Sequence, residues 1–226
     1  MELAIDTSTD TASLALIQDN QVLAELTWRS GQNHSTQLLP NLNHLLNQSK
    51  LSLQSLTGII VARGPGSFNG LRVGISTAKG LAFSLGVPIV AVSSLEAEAY
   101  QYAGTGLPVC PIFNAGRCEI ATALYQKKRN KWCQLTAEHI TNVDTLCSQM
   151  STRTVFCGEF IPTIASQLRE RLGQKAVIPP SVTMLRRASF LAELGLKQLE
   201  AGNYDNPATL QPLYLRRPSI TKAKHR

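Results

Sequence analysis

Apolar and polar residues along the first thirty positions follow the period of β-strands. An apolar run at residues 3–5 is followed by a longer apolar segment at 12–18, and apolar and polar side chains then alternate through 21–28. Asp19 and Asn20 separate the last two segments, and such residues favour tight turns. The pattern therefore predicts three consecutive strands joined by short connections.

From residue 34 onward the apolar spacing changes to that of a helix. Leucines recur at three- and four-residue intervals at Leu38, Leu39, Leu42, Leu45 and Leu46. Pro40 lies early in this segment, so the helix either starts near it or has a distorted first turn.

A strand, helix, strand and helix follow in that order. Strands are predicted at 58–62 and 88–92, with a helix at 71–85 that ends at Gly86. Ser93, with Glu96 three residues later, forms a capping box that opens a third helix. The order of the first half is thus βββαβαβα.

The second half of the chain repeats this order less regularly. Strands are predicted at 109–114, 120–126, 132–140, 154–157 and 177–178, and helices at 142–150, 163–172 and 184–200. We therefore predict an α/β protein of the actin/hexokinase/Hsp70-like (ribonuclease H-like) fold. It would contain two βββαβα-type halves, at residues 1–104 and 107–226.

The composition favours a globular protein that folds without disulfides or a structural metal and does not span a membrane. A chain of 226 residues with 43% hydrophobic content can bury a sizeable core. Its five cysteines form no CxxC pair, which argues against zinc-ribbon and thioredoxin sites. The N-terminus lacks the basic segment of a signal peptide, and the longest apolar region, at 80–92, is interrupted by Ser84 and Pro88. We expect a cytoplasmic protein.

Positive charge is concentrated in the second half. The net charge is +7; residues 1–110 hold five Lys/Arg against seven Asp/Glu, a net −2, which leaves +9 for residues 111–226. The last eleven residues contain no acid and five cations, Arg216, Arg217, Lys222, Lys224 and Arg226. Such a segment could contact a nucleic-acid backbone, although a solvated tail without a partner accounts for the charge equally well.

A glycine-rich loop joins the predicted strand at 58–62 to the helix at 71–85. Its residues are Gly64, Pro65, Gly66, Ser67, Phe68 and Gly70. Such a loop places backbone N–H groups at a helix N-terminus, where anions bind favourably. It is neither a Walker A loop nor a GxGxxG motif, because no Gly-Lys-Ser/Thr sequence follows and Gly70 lies one position late. A tight connection without a ligand fits the sequence as well.

This loop also carries a family resemblance. The segment 61–75 resembles the signature of the TsaB (YeaZ) family, commonly GPGSFTGLRVG, with Asn69 in place of threonine. The segments 4–9 and 212–216 and the pair His34-Ser35 are similar as well. The resemblance implies a non-catalytic partner subunit of the complex that forms threonylcarbamoyladenosine in tRNA. The TsaD subunit would transfer the group to the adenosine next to the anticodon, and the TsaE ATPase would complete the complex.

The resemblance further implies that ATP and metal belong to the partner subunits and that this chain has no cofactor. Actin-like ATPases keep an Asp-x-Gly-Thr phosphate hairpin where this chain has Asp6, Thr7, Ser8 and Thr9. Ser8 replaces the glycine that lets phosphates approach the backbone. We therefore interpret residues 6–9 as a vestigial phosphate loop.

Catalytic TsaD subunits also carry a metal-binding HxxxH pair. The matching positions in this chain are Ser94 and Glu98. Neither is the imidazole that such a site needs. No catalytic or metal-ligating residue is therefore predicted.

Two predicted helices carry the candidate partner interface. By resemblance, TsaB proteins bind TsaD through these helices, and the same surface supports a homodimer. Small residues recur every four positions in the second helix, which lets another backbone approach, and the first helix has more leucines than one face needs. A helix pair buried wholly within the chain is the alternative. The predicted interface consists of His34, Leu38, Leu42, Leu45, Leu71, Gly74, Ile75, Ala78 and Ala82.

Two enzymatic functions remain as alternatives. An ATP-dependent phosphotransferase of the actin-like superfamily is disfavoured by Ser8, and a degenerate glycoprotease-like peptidase by the missing HxxxH pair. Residues 114–119 stand where the family has Asp-Ala-Arg-x-x-Glu-Val-Tyr, but only Ala115 and Glu119 match, so they receive no role. We expect contact with tRNA either indirectly or through the basic second half.

Overall fold

Two five-stranded sheets form the framework of the protein. The computed structural model describes residues 1–181 and 184–216. The first sheet contains β1 (Glu2–Asp6), β2 (Thr11–Gln18), β3 (Gln21–Arg29), β4 (Gly58–Gly64) and β5 (Ile89–Ser93). The second contains β6 (Val109–Gly116), β7 (Glu119–Lys128), β8 (Lys131–Thr141), β9 (Thr154–Cys157) and β10 (Ala176–Val177).

The two sheets have the same topology. Their strand orders are β3-β2-β1-β4-β5 and β8-β7-β6-β9-β10. In each, the first three strands pair antiparallel and the last two join in parallel. The prediction of two like halves is therefore confirmed.

Within residues 1–181 and 184–216, six α-helices cover the sheets: α1 (His34–Gln48), α2 (Phe68–Leu85), α3 (Ser94–Tyr100), α4 (Val143–Gln149), α5 (Ile161–Leu172) and α6 (Ala188–Glu200). Helices α1 and α2 pack side by side on one face of the first sheet, and α6 covers the opposite face. Helix α3 lies between the two sheets, because Ala97 packs with the first sheet while Leu95 and Ala99 pack against the second. Helices α4 and α5 cover the outer face of the second sheet.

The local signals at the ends of α2 and α3 act as the sequence predicts. The Ser67 hydroxyl accepts a hydrogen bond from the Gly70 N–H at the start of α2, and Gly86 ends that helix in the left-handed conformation. The Ser93 hydroxyl likewise accepts from the Glu96 N–H at the start of α3.

The start of helix α1, which Pro40 left open in the sequence, is settled by the structure. The helix begins at His34, so Pro40 lies inside it. Pro40 is exposed. Water can therefore reach the carbonyl that the proline leaves without a helical donor.

The predicted start of the last helix is wrong. The helix begins at Ala188, four residues later than predicted, because Arg187 is extended and Arg186 enters the interior. Leu191 and Ala192 of this helix join the core of the first sheet, so α6 connects the predicted second half to the first.

No helix among the described residues is long and apolar enough to cross a membrane.

Candidate functional site

The turn between β1 and β2 contains residues 6–9, which the sequence analysis interprets as a vestigial phosphate loop, and all four are buried. Asp6 Oδ1 accepts hydrogen bonds from the backbone N–H of Ser8 at 2.9 Å and from its hydroxyl at 2.6 Å. The Thr7 hydroxyl donates to the Gly70 carbonyl at 2.8 Å. The turn is therefore held by its own side chains and by the glycine loop.

His34 also supports this turn. Its ring Nε2–H donates to the Thr9 carbonyl at 2.8 Å, and the side chain is buried. His34 thus has a role within the chain, and its contact with a partner stays a prediction.

The glycine loop packs directly on the β1–β2 turn. A Cβ on Gly66 would lie 2.1 Å from the Ser8 carbonyl oxygen, and one on Gly70 would lie 2.1 Å from the Thr7 carbonyl oxygen. Both glycines are needed because two backbone segments meet here at van der Waals distance.

Three N–H donors in and beside the glycine loop are engaged within the chain. The Ser67 N–H donates to the Ser8 carbonyl at 2.7 Å, and the Gly70 N–H donates to Ser67 Oγ. At the strand side, the Gly64 N–H donates to Ser94 Oγ at 3.0 Å. Of the two interpretations of this loop, the geometry favours a tight connection.

Arg186 lies between the two sheets, where the β1–β2 turn approaches β6. Its Nη1–H donates to Ser8 Oγ at 3.0 Å, and its Nη2–H donates to the Ser94 carbonyl at 2.9 Å. Its Nε lies 3.2 Å from Asp6 Oδ2. The guanidinium also sits 4.8 Å from the centre of the Phe113 ring. We call the space bounded by these residues and Glu98 the central cleft.

The charges in the central cleft shift the pKa values of its groups. Burial raises the pKa of Glu98 to about 7; Asp6 and Glu159 act in the same direction and Arg186 opposes them. Burial by itself would lower the pKa of Arg186, but the neighbouring carboxylates outweigh it and hold the pKa above its usual range. Arg186 is therefore a permanent cation, and Glu98 titrates near neutral pH.

The central cleft does not fit a nucleotide–metal complex. Asp6 uses one oxygen for Ser8 and the other for Arg186. Ser94 and Glu98 bring no imidazole, and within the described ranges no cluster of three or more His, Cys, Asp or Glu could hold a metal ion. The role of Arg186 could not be predicted from the sequence, because this residue lies in an irregular segment before a helix and its partners are distant along the chain.

The nine residues predicted to contact a partner all face the chain's own core. Eight of them are buried among the residues that cover the first sheet, and His34 caps the turn as described. Gly74 shows the reason for the small side chains: a Cβ there would lie 2.2 Å from Thr7 Oγ1. At Gly74 the segment that approaches closely is the β1–β2 turn of the same chain, and Ala78 and Ala82 pack in the core of the first sheet.

The opposite faces of the two helices are exposed. Phe83 is 87% exposed and Leu39 is 53% exposed. Ser76 and Gly80 lie on the same stripe of α2 as Phe83, and both are exposed. We call Leu39, Ser76, Gly80 and Phe83 the outer helix face. Phe83 was not among the predicted interface residues. It follows Ala82 directly and therefore points away from the small-residue stripe, so its exposure could have been predicted from the sequence.

The degenerate motif at 114–119 forms the turn between β6 and β7. Asn114 Oδ1 accepts from the Gly116 N–H at 2.8 Å, and Arg117 and Cys118 adopt positive φ. Glu119 pairs with Arg216. The motif is thus a tight hairpin connection. Of the basic tail, residues 217–226 lie outside the described residues.

A second hairpin turn carries the clearest basic patch. Lys127, Lys128, Arg129 and Lys131 surround the β7–β8 turn, and all four are exposed. Within the described part of the chain none of them lies within 4.0 Å of an acidic group. We call these four residues the basic hairpin.

Sequence comparisons relate the chain to proteins of one tRNA modification. A family model described as TsaD, tRNA N6-adenosine threonylcarbamoyltransferase, matches residues 22–219. The tRNA threonylcarbamoyladenosine biosynthesis protein TsaB of Bacillus subtilis is 36% identical over 217 residues, which is 95% of this chain and 93% of that protein. The TsaB protein of Escherichia coli is 28% identical, with 95% and 94% covered.

Solved structures agree on the fold. YeaZ from Pseudomonas aeruginosa superposes with a TM-score of 0.80 at 26% identity and covers 95% of this chain and 99% of its own. The ROK hexokinase of Thermus thermophilus has a TM-score of 0.53 at 10% identity, with 87% and 99% covered. The prediction of an actin/hexokinase-like fold is therefore confirmed.

Proposed function

Because this chain belongs to the TsaB family and so to the biosynthesis of threonylcarbamoyladenosine in tRNA, we propose that it is the non-catalytic partner subunit of TsaD. It would stabilise and position TsaD for transfer of the threonylcarbamoyl group to the adenosine next to the anticodon. ATP and metal would belong to the partner subunits.

The central cleft is the observation that carries the non-catalytic assignment. In an active member of this fold class, the space beside Asp6 would receive phosphates or a metal. Here the Arg186 guanidinium fills that space, and Gly66 and Ser8 close the loop beside it. Because Arg186 occupies the space beside Asp6, the phosphotransferase and peptidase alternatives are also disfavoured.

The outer helix face is the surface that we assign to TsaD. A monomer gains nothing from an aromatic side chain that is 87% exposed, whereas aromatic residues are enriched at the centres of interfaces. A Cβ on Gly80 would meet no atom within 4 Å, so this glycine leaves room for another helix beside Phe83. In the absence of TsaD, the same face would support a homodimer.

Replacing Phe83 by glutamate tests this surface. We expect Phe83→Glu to weaken the complex with the TsaD of the same organism by about tenfold or more, because a charge would be buried without a partner. Titration calorimetry would measure the affinity, and thermal unfolding of the free variant should match the wild type.

Leu135→Glu is the matched control, since Leu135 is an exposed apolar residue on β8 of the other sheet. It should bind TsaD as the wild type does. Equal affinities for Phe83→Glu and the wild type would place the interface elsewhere.

The basic hairpin supports a direct contact with tRNA. Four cations without acidic neighbours sit on a tight turn whose strands fix their spacing, and phosphate contacts dominate nucleic-acid affinity. Residues 127–131 belong to the basic second half of the chain, so the basic hairpin gives the expected tRNA contact a defined location.

Neutralising part of the basic hairpin tests this contact. We expect the triple variant Lys127→Gln, Lys128→Gln and Arg129→Gln to lower the tRNA affinity of the complex with TsaD. The slope of log affinity against log salt should fall by roughly two to three, since each lost phosphate contact removes about one counterion.

The control is a triple variant at the opposite side of the second sheet, Arg153→Gln, Arg169→Gln and Lys175→Gln. These side chains are also exposed. An unchanged salt slope in the hairpin variant, or an equal change in the control, would contradict the contact.

The TsaE ATPase would join the same assembly, which sedimentation of the three proteins together would detect.

A further inference from the structure

The environment of Arg186 consists of groups that attract a cation. Every polar atom that the guanidinium touches is an oxygen acceptor: Asp6 Oδ2, Ser8 Oγ and the Ser94 carbonyl. Glu98 Oε2 lies 4.0 Å from Nη2. The Phe113 ring adds the negative face of an aromatic system at 4.8 Å.

This arrangement links parts of the chain that are far apart in sequence. Asp6 and Ser8 follow β1 of the first sheet, whereas Phe113 belongs to β6 of the second. Arg186 reaches them from the segment just before α6, and its side chain is only 6% exposed. The contacts therefore fasten both sheets and the start of α6 around one positive charge.

We propose that the central cleft is a binding site for a planar cation and that the Arg186 side chain is its permanent occupant. The guanidinium lies between the β1–β2 turn of the first sheet and Phe113 of the second. Its charge is matched by Asp6 and Glu98, and its fork of N–H donors is matched by the acceptors of Ser8 and Ser94. This inference does not depend on the proposed role in the tRNA-modifying complex.

The proposal distinguishes a charge site from simple filling of space. If the cleft selects a cation, a lysine at position 186 should support folding better than a methionine of similar length, because lysine keeps the charge that the carboxylates require. If the side chain acts only by packing, methionine should serve at least as well, since it avoids the burial of a charge.

The first experiment therefore compares the thermal unfolding of Arg186→Lys and Arg186→Met in the full-length chain. We expect both to melt below the wild type, with Arg186→Lys higher than Arg186→Met by about 5 °C, a readily measured difference for a domain of this size. Arg187→Met is the matched control. Arg187 is half-exposed and its partner Glu25 also accepts the Ser189 N–H, so the loss of Arg187 should matter less than the loss of the buried Arg186. A melting temperature of Arg186→Met equal to or above that of Arg186→Lys would overturn the proposal.

The second experiment refills an emptied cleft. We expect Arg186→Ala to be stabilised by guanidinium chloride at about 10 mM, because a ligand that binds only the folded state raises its melting temperature. Methylguanidinium should act in the same way, and sodium chloride at the same ionic strength should not. The wild type and Arg187→Met should show no such rise. If folded Arg186→Ala gains no stability from either guanidinium salt, the cleft does not select a planar cation and the proposal fails.

Discussion

At the scale of single residues, the central cleft depends on a few side chains whose polar atoms are all engaged. Asp6 holds Ser8 with one oxygen and Arg186 with the other, and Ser8 in turn bonds both partners. Glu98 is the exception to this close pairing. Its nearest cation is 4.0 Å away, and burial raises its pKa to about 7.

The raised pKa of Glu98 predicts a pH-dependent cost to folding. Below its ordinary pKa of 4.5, Glu98 is protonated in both folded and unfolded states. As the pH rises from 4.5 to about 7, the folded state retains a proton that the unfolded state has released, so folding becomes less favourable. Glu98→Gln removes this cost, on the order of 3 kcal/mol above pH 7.

Urea unfolding at pH 5 and at pH 8 would measure this effect. We expect the stability gain of Glu98→Gln over the wild type to be much larger at pH 8 than at pH 5. Glu200→Gln, an exposed substitution, should show no such change between the two pH values. An equal gain at both pH values would contradict a raised pKa.

The residues of this region were predictable to different degrees. The glycine loop and the residues 6–9 follow from local sequence, because tight turns require particular residue types at fixed positions. The role of Arg186 does not. Its partners Ser8 and Ser94 lie 178 and 92 residues away, and no periodic pattern connects positions at such distances.

At the scale of elements, α2 shows what an apolar period does and does not specify. The period identifies which residues share a face. It does not say whether that face meets the protein's own sheet or a partner. Ala78 is fully buried against the first sheet, whereas Gly80, two residues later, points into open space.

This difference predicts opposite outcomes for two substitutions in the same helix. Ala78→Arg should prevent folding or lower the free energy of unfolding by several kcal/mol, roughly 3 or more, because it forces a long charged side chain into a packed core. Gly80→Arg should leave stability unchanged or slightly higher, since arginine is a better helix former than glycine.

Far-UV circular dichroism and thermal unfolding would check both variants. Gly80→Arg should also weaken binding to TsaD, because it occupies the space beside Phe83. If Ala78→Arg folds normally, the buried and exposed faces of α2 have been assigned the wrong way round.

At the scale of the whole molecule, the repeated strand order was predictable. The return of the last helix to the first sheet was not. In each half, the local period of apolar residues predicts the three antiparallel strands and the helices. Helix α6 packs on the first sheet although it follows the second in sequence. Its apolar residues would suit either sheet, and only the three-dimensional arrangement decides between them.

The assembly that follows has separate surfaces for separate contacts. We assign the outer helix face to TsaD and the basic hairpin to tRNA, and we propose that the central cleft takes no substrate. The chain would then contribute to the reaction only through its partner.

The most direct test is threonylcarbamoylation of tRNA in a reconstituted mixture that contains TsaD, TsaE and the enzyme that makes threonylcarbamoyl-adenylate from the same organism. The reaction is run with the wild-type chain, with Phe83→Glu, and without the chain. We expect full product with the wild type and a severe loss in the other two mixtures. Undiminished product in the mixture that lacks the chain would contradict a role as partner subunit of TsaD.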